Sequence, residues 1–161
     1  MDKRNHSLIK QVIYVSKPIG FDEKTLDRIL AQSAVNNEKN NITGALICRS
    51  DLYLQFLEGP AHKIDNLYSR IKVDARHREV RLLGDTRSKR RLFSNWAMKG
   101  DPAKDWMWTE NEVTDGILDH LSKNDAMEVL CGIPERSISF YLKSAQGRLG
   151  TFFRLVLSNY Q

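Results

Sequence analysis

Between Ile9 and Gly84 the apolar residues switch repeatedly between the two-residue period of strands and the 3.6-residue period of helices. That order restricts the fold more than any single motif. Ile9 to Val15 (IKQVIYV) is β-branched and apolar, as in a buried strand. Asp22 is placed to cap a helix in which Leu26, Ile29, Leu30 and Ser33 share a face, with fraying expected at Asn36-Asn37, where helix propensity drops. Thr43-Gly44 opens a strand from Ala45 to Arg49, and Arg49-Ser50-Asp51 turns it into another, Tyr53 to Glu58. Gly59-Pro60 ends this hairpin, with Pro60 expected at the first helical position. Ile64, Leu67, Tyr68 and Ile71 give a second helix to about Lys72, and Val80 to Gly84 reads as a fourth strand. The order β-α-β-β-α-β predicts an α+β, ferredoxin-like sandwich, one sheet covered by two helices. A short fifth strand is expected from Phe93 to Met98.

The rest of the chain differs in charge. Residues 1–100 carry 19 Lys and Arg against 11 Asp and Glu, whereas residues 101–128 carry 2 against 8. This reversal predicts two parts, a core domain over 1–100 and a C-terminal helical extension over 101–161. In the extension Asn111 is expected to cap a helix carrying Ile117, Leu118 and Leu121, and Asp125 a second one ending at Gly132-Ile133-Pro134. A third helix is expected where Ile138, Tyr141, Leu142, Ala145, Leu149, Phe152, Phe153 and Val156 trace one apolar stripe. It would pack on the open face of the sheet and offer a surface for a partner or a second copy.

Several function classes are disfavoured by what the 161 residues lack. No run reaches the roughly 18 apolar residues of a membrane span, and the N-terminus does not resemble a secretory signal. Cys48 and Cys131 are read as ordinary thiols of a reducing cytoplasm. His6, His62, His77 and His120 have no metal-ligand spacing, so no metal is expected. There is no phosphate-cradling glycine loop and no nucleophile elbow, hence no catalytic residue to assign. The run Arg87-Ser88-Lys89-Arg90-Arg91 reads as a solvated turn rather than a grip on nucleic acid.

Polar residues inside apolar strands attract more interest. Tyr14 lies in the first strand and Gln55 lies within Tyr53–Glu58. A buried amide is costly unless it is bonded at both ends. Each has an ordinary explanation taken alone: a core tyrosine, an edge-strand glutamine, two asparagines ending a helix. The fold, however, should set the first and third strands side by side with the helix ends above them.

The stretches Ile13-Tyr14-Val15-Ser16, Asn36-Asn37, Ile42-Thr43-Gly44-Ala45-Leu46 and Gln55-Phe56-Leu57-Glu58-Gly59-Pro60 make the chain resemble the BLUF domain. Asp74-Ala75-Arg76-His77 and Arg91-Leu92-Phe93-Ser94-Asn95-Trp96-Ala97-Met98 extend the likeness, which covers about residues 8 to 100. BLUF domains are bacterial blue-light sensors that use FAD. The resemblance implies non-covalently bound FAD with its isoalloxazine ring between the two helices. It makes Tyr14 the photoactive tyrosine, which supplies an electron and a proton, and Gln55 the glutamine whose hydrogen bonds rearrange. It places Asn37 and Asn36 on the ring's carbonyl and imide edge, and Arg70, Asp74 and Arg76 at the ring edge and ribityl side. Trp96 and Met98 become the last-strand residues that approach the glutamine and pass the change to the C-terminal helices.

The function expected is that of a cytoplasmic photoreceptor without catalytic output, acting in signal transduction on a separate effector protein. A cyclic-dinucleotide enzyme or a transcription regulator would be such an effector. Self-association into a homo-oligomer is expected, and membrane and nucleic-acid partners are not. Two other classes stay open: a ferredoxin-like module binding RNA or another phosphate ligand, and a small phosphoryl- or acyl-processing enzyme that holds an anion with Arg and Asn.

Overall fold

Six consecutive residues of β1 (Ile9–Pro18), Gln11 to Ser16, are buried, because this strand runs through the middle of the sheet. The computed structural model describes residues 8–93, 108–131 and 154–155. After β1 come α1 (Glu23–Lys39), β2 (Thr43–Cys48), β3 (Tyr53–Gly59), α2 (Ala61–Lys72) and β4 (His77–Ser88). The sheet order is β4-β1-β3-β2-β5, and every neighbouring pair is antiparallel. Its first four strands have the ferredoxin-like arrangement that the element order predicts.

α1 and α2 share one face of the sheet. Ile64 of α2 is fully buried, with Leu67, Tyr68 and Ile71 on the same stripe, and this stripe packs on Val12, Tyr14, Ile42 and Leu57. Leu30 of α1 packs beside Cys48 of β2. α1 does not fray at Asn36-Asn37 but runs on to Lys39. Asn41 takes the left-handed conformation (φ 56°), and the amides of Ile42 and Asn41 donate to the carbonyls of Asn37 and Glu38. This closure satisfies the last carbonyls, so the asparagine pair stays inside the final helical turns. Pro60 is the N-cap of α2 rather than its first helical residue, its carbonyl accepting from the amides of Lys63 and Ile64.

The opposite face is covered by α3 (Glu110–Thr114), a 3-10 turn (Ile117–Asp119) and α4 (Lys123–Cys131). Val113, Leu118, Leu121, Ala126, Val129 and Leu130 close over Ile13, Val15, Ala45, Ile47, Leu54 and Phe56. Each fully buried aliphatic or aromatic side chain there contributes roughly 1.5–3 kcal/mol. Two caps differ from expectation. Thr109, not Asn111, starts α3 in a reciprocal capping box with Glu112. Ser122, not Asp125, starts α4, its hydroxyl accepting from the Asp125 amide while Asp125 accepts from the Ser122 amide. In both places the reciprocal partner three residues on decides which residue caps.

The C-terminal stripe departs further. Arg154–Leu155 form β5, which pairs with Ile47 and Cys48 of β2, so these two residues extend the sheet instead of continuing a helix. β2, without β5 an edge strand with free backbone groups, offers partners that a helix weakened by Gly147 and Gly150 does not match. The remainder of the stripe lies outside the described residues. Phe93 is a bend rather than the start of a fifth strand, and the other residues expected in that strand also lie outside the description. No helix among the described residues is long and apolar enough to cross a membrane.

Candidate functional site

Alternation along β1 and β3 sends Val12, Tyr14 and Ser16 of β1, and Tyr53, Gln55 and Leu57 of β3, toward the α1/α2 side. Tyr14 stands directly opposite Gln55 in the register, and its hydroxyl donates to Gln55 Oε1. Tyr14 is buried. Gln55 is half-buried, and among the described residues its Nε2 end has no protein partner. The β1–β4 register shifts between Ile13 and Tyr14, a bulge of the kind that re-aims a side chain beside a site.

Above this pair, between the two helices, opens a cleft of about 1270 Å³. The residues singled out from the sequence, Tyr14, Asn36, Asn37, Gln55, Arg70, Asp74 and Arg76, all line it. They are not equivalent. Asn37 is half-buried, whereas Asn36 is exposed and its carboxamide oxygen accepts from Gln32 Nε2 at 3.2 Å. Arg70 is exposed at the rim. Asp74 and Arg76 form one unit, with the Arg76 amide at 2.9 Å and its Nε at 2.8 Å from Asp74 Oδ1. Gly44 also lines the cleft, and a Cβ there would stand 1.9 Å from the Phe56 carbonyl oxygen. Only glycine lets β2 approach β3 that closely. Trp96 and Met98 lie outside the described residues.

Periodicity pointed to some of the lining and missed other parts. His77 opens β4, its Nδ1 2.9 Å from Ser16 Oγ, with its ring against Tyr53 (centroids 5.2 Å apart) and Tyr14 (6.4 Å). Tyr68 of α2 packs on the Tyr14 ring at 5.6 Å. Tyr53 precedes Gln55 by two on the same strand, so the two-residue period carried its signal. The position of His77 depends on the β1–β4 register, which no local pattern encodes. Arg28 and Lys63 add two cations to the lining.

Electrostatics keep the interior of the cleft neutral. Burial pushes the Tyr14 hydroxyl well above its ordinary pKa, so it stays protonated and can donate. Burial likewise pushes Tyr53 up to about 12. Desolvation lowers His77, which favours its uncharged ring. At the rim, hydrogen bonding from Arg76 pulls Asp74 down to about 2. The lining therefore offers neutral amides and hydroxyls inside and charge at the edge. A planar, uncharged heteroaromatic ring with both donor and acceptor edges fits that donor set, and a chain of phosphates would meet the cations outside. No group of His, Cys, Asp and Glu among the described residues could hold a metal ion.

Comparison with known proteins places these features in context. The family described as "Sensors of blue-light using FAD" (BLUF) matches residues 9–99. The chain is 48% identical over 44 residues to the photoactivated adenylate cyclase subunit alpha of Euglena gracilis, covering 27% of this chain and 4% of that protein. It thus spans only 4 to 6% of the length of such curated relatives. Among solved structures, a bacterial light-regulated adenylyl cyclase is 38% identical and superposes with a TM-score of 0.51, over 55% of this chain and 26% of that one. BlsA in its photo-activated state shares the fold at a TM-score of 0.60 and 21% identity, over 78% of this chain and 94% of that one.

Proposed function

The chain belongs to the BLUF family and is a flavin-binding sensor of blue light, and from that premise we propose that it binds FAD and signals to a separate effector protein. The observation that carries the reading is the Tyr14–Gln55 pair, in register and hydrogen-bonded, at the floor of the cleft that Asn36 and Asn37 also line. When bound, the flavin supplies the blue-light absorption and an excited ring that accepts an electron. Asn37, Asn36 and the Nε2 end of Gln55 are the amides that would hold its polar edge. Arg70 and the Asp74–Arg76 unit would hold the ring edge and ribityl side, and the rim cations Arg28 and Lys63 favour the dinucleotide with its second phosphate.

Tyr14 is the residue proposed to give up an electron and, along its hydrogen bond to Gln55 Oε1, a proton. A buried phenol next to an amide can do this and return to neutrality without leaving a permanent charge in the interior. Gln55 then reverses which end it offers to Tyr14, so the signal begins as a change of hydrogen-bond direction. Trp96 and Met98 are proposed to pass it on to the helical extension over 101–161. The named relatives join their sensor to a cyclase within a far longer protein. For this chain the output is proposed to be a partner protein, such as a cyclic-nucleotide or cyclic-dinucleotide enzyme or a transcription regulator. The buried free thiol of Cys48 is consistent with a cytoplasmic setting.

The test is reconstitution with FAD, FMN or riboflavin, followed by absorption before and after blue light. The reading expects tightest retention of FAD and a small red shift that reverses in the dark. A protein that stays colourless with all three would contradict it.

A further inference from the structure

Behind the cleft, on the other face of the sheet, lies a carboxylate that the photochemistry does not use. Glu58 of β3 is fully buried, three residues beyond Gln55. Four donors converge on it. Gln11 Nε2 (3.0 Å) and the Leu92 amide (3.0 Å) meet Oε2, while the Phe93 amide (2.7 Å) and Thr43 Oγ1 (3.4 Å) meet Oε1. An ionised carboxylate is the acceptor-only group that can satisfy four donors at once. Arg91 completes the cluster, donating to Thr43 Oγ1 at 2.6 Å and to the Glu58 carbonyl at 3.0 Å. Its other nitrogen reaches the Asn41 carbonyl at 2.7 Å, at the residue that closes α1. The end of the asparagine-bearing helix, the glutamine-bearing strand and the chain leaving β4 therefore meet at one charged centre. Two backbone amides of the outgoing chain are held there, and the Phe93 ring packs on Phe56 (centroids 5.0 Å apart), the neighbour of Gln55 in sequence.

We propose that Glu58 is a positioning residue for the light response: its carboxylate fixes Leu92 and Phe93, and Phe93 braces Phe56 and so the strand on which Gln55 rearranges. The inference rests on the photosensor reading, because it concerns how fast the Gln55 amide returns. Loosening the brace lowers the barrier to that return. No atom of Glu58 lines the cleft, so flavin binding and the red shift should persist without it.

The experiment measures dark recovery of the flavin spectrum in Glu58→Gln and Phe93→Leu, with Leu130→Ala in the helical cover as a control for lost stability. Glu58→Gln keeps the shape but turns an amide NH2 toward converging donors. Both brace variants should keep the red shift and recover roughly tenfold faster, equivalent to about 1.4 kcal/mol in the barrier. Leu130→Ala should recover at the parent rate. If Glu58→Gln does not fold, Phe93→Leu decides alone. Parent-like recovery in the brace variants that fold, or equal acceleration in Leu130→Ala, would overturn the assignment. A parent chain with no red shift would instead overturn the photosensor reading and this inference with it.

Discussion

The two faces of the sheet are built from the same strands and the same alternation, and they hold opposite contents. Toward α3 and α4, Ile13, Val15, Ile47, Leu54 and Phe56 meet a cover of Leu, Val and Ala, with a smaller recess of about 390 Å³ at its margin beside Val15 and Leu118. Toward α1 and α2, the intervening positions are Tyr14, Ser16, Gly44, Tyr53 and Gln55, and the helices stand apart over a cavity. One face gives stability and the other gives up packing for a ligand. The helical cover is thus part of the core, whatever further role it has in signalling. Without it, six buried apolar strand residues would face water.

The contrast can be broken from the apolar side first. Leu130→Ala removes a fully buried side chain from the cover and should lower unfolding stability by about 2–5 kcal/mol, with the flavin spectrum unchanged. Urea denaturation followed by circular dichroism checks the first part, and absorption of the folded protein the second. A spectrum displaced as far as the stability would show that the faces are not separate.

The polar side should respond weakly. Asp74 at the rim is held near a pKa of about 2 by Arg76, below the usual carboxylate range. A depressed folded value means that this contribution is present above the unfolded pKa and is lost as pH falls through about 2. Arg76 is exposed while Asp74 is half-buried, so solvent screens the pair from the arginine side and Asp74→Asn should cost only about 1 kcal/mol at neutral pH. That difference should vanish below about pH 2. Urea midpoints of both proteins between neutral and acid pH measure it. A loss that grows on acidification would reverse the sign and contradict the pairing.

The strands and the α2 stripe were legible in the sequence because local period alone decides which face each residue takes. Tyr14 and Gln55 were recognisable as polar residues out of place, and the family resemblance gave them roles. What could not be read depends on closure or register. α1 passes through Asn36-Asn37 because Asn41 adopts a left-handed turn and Ile42 reaches back to Asn37. Arg91, expected in a solvated turn, instead donates to Asn41, Thr43 and Glu58, contacts that arise only once β4 has returned beside β1 and the chain has crossed to the far edge. Glu58 gave no signal for the same reason: its partners lie on β1, β2 and the chain after β4.

The most direct measurement is the light-minus-dark absorption spectrum of the FAD-loaded chain beside Tyr14→Phe. The substitution removes one hydroxyl oxygen from a buried position that donates to Gln55 and keeps the ring packed on Tyr68. The account predicts a reversible red shift in the parent and none in the variant, with flavin bound in both. A variant that shifts and recovers like the parent would contradict the assignment of the switch to the Tyr14–Gln55 pair.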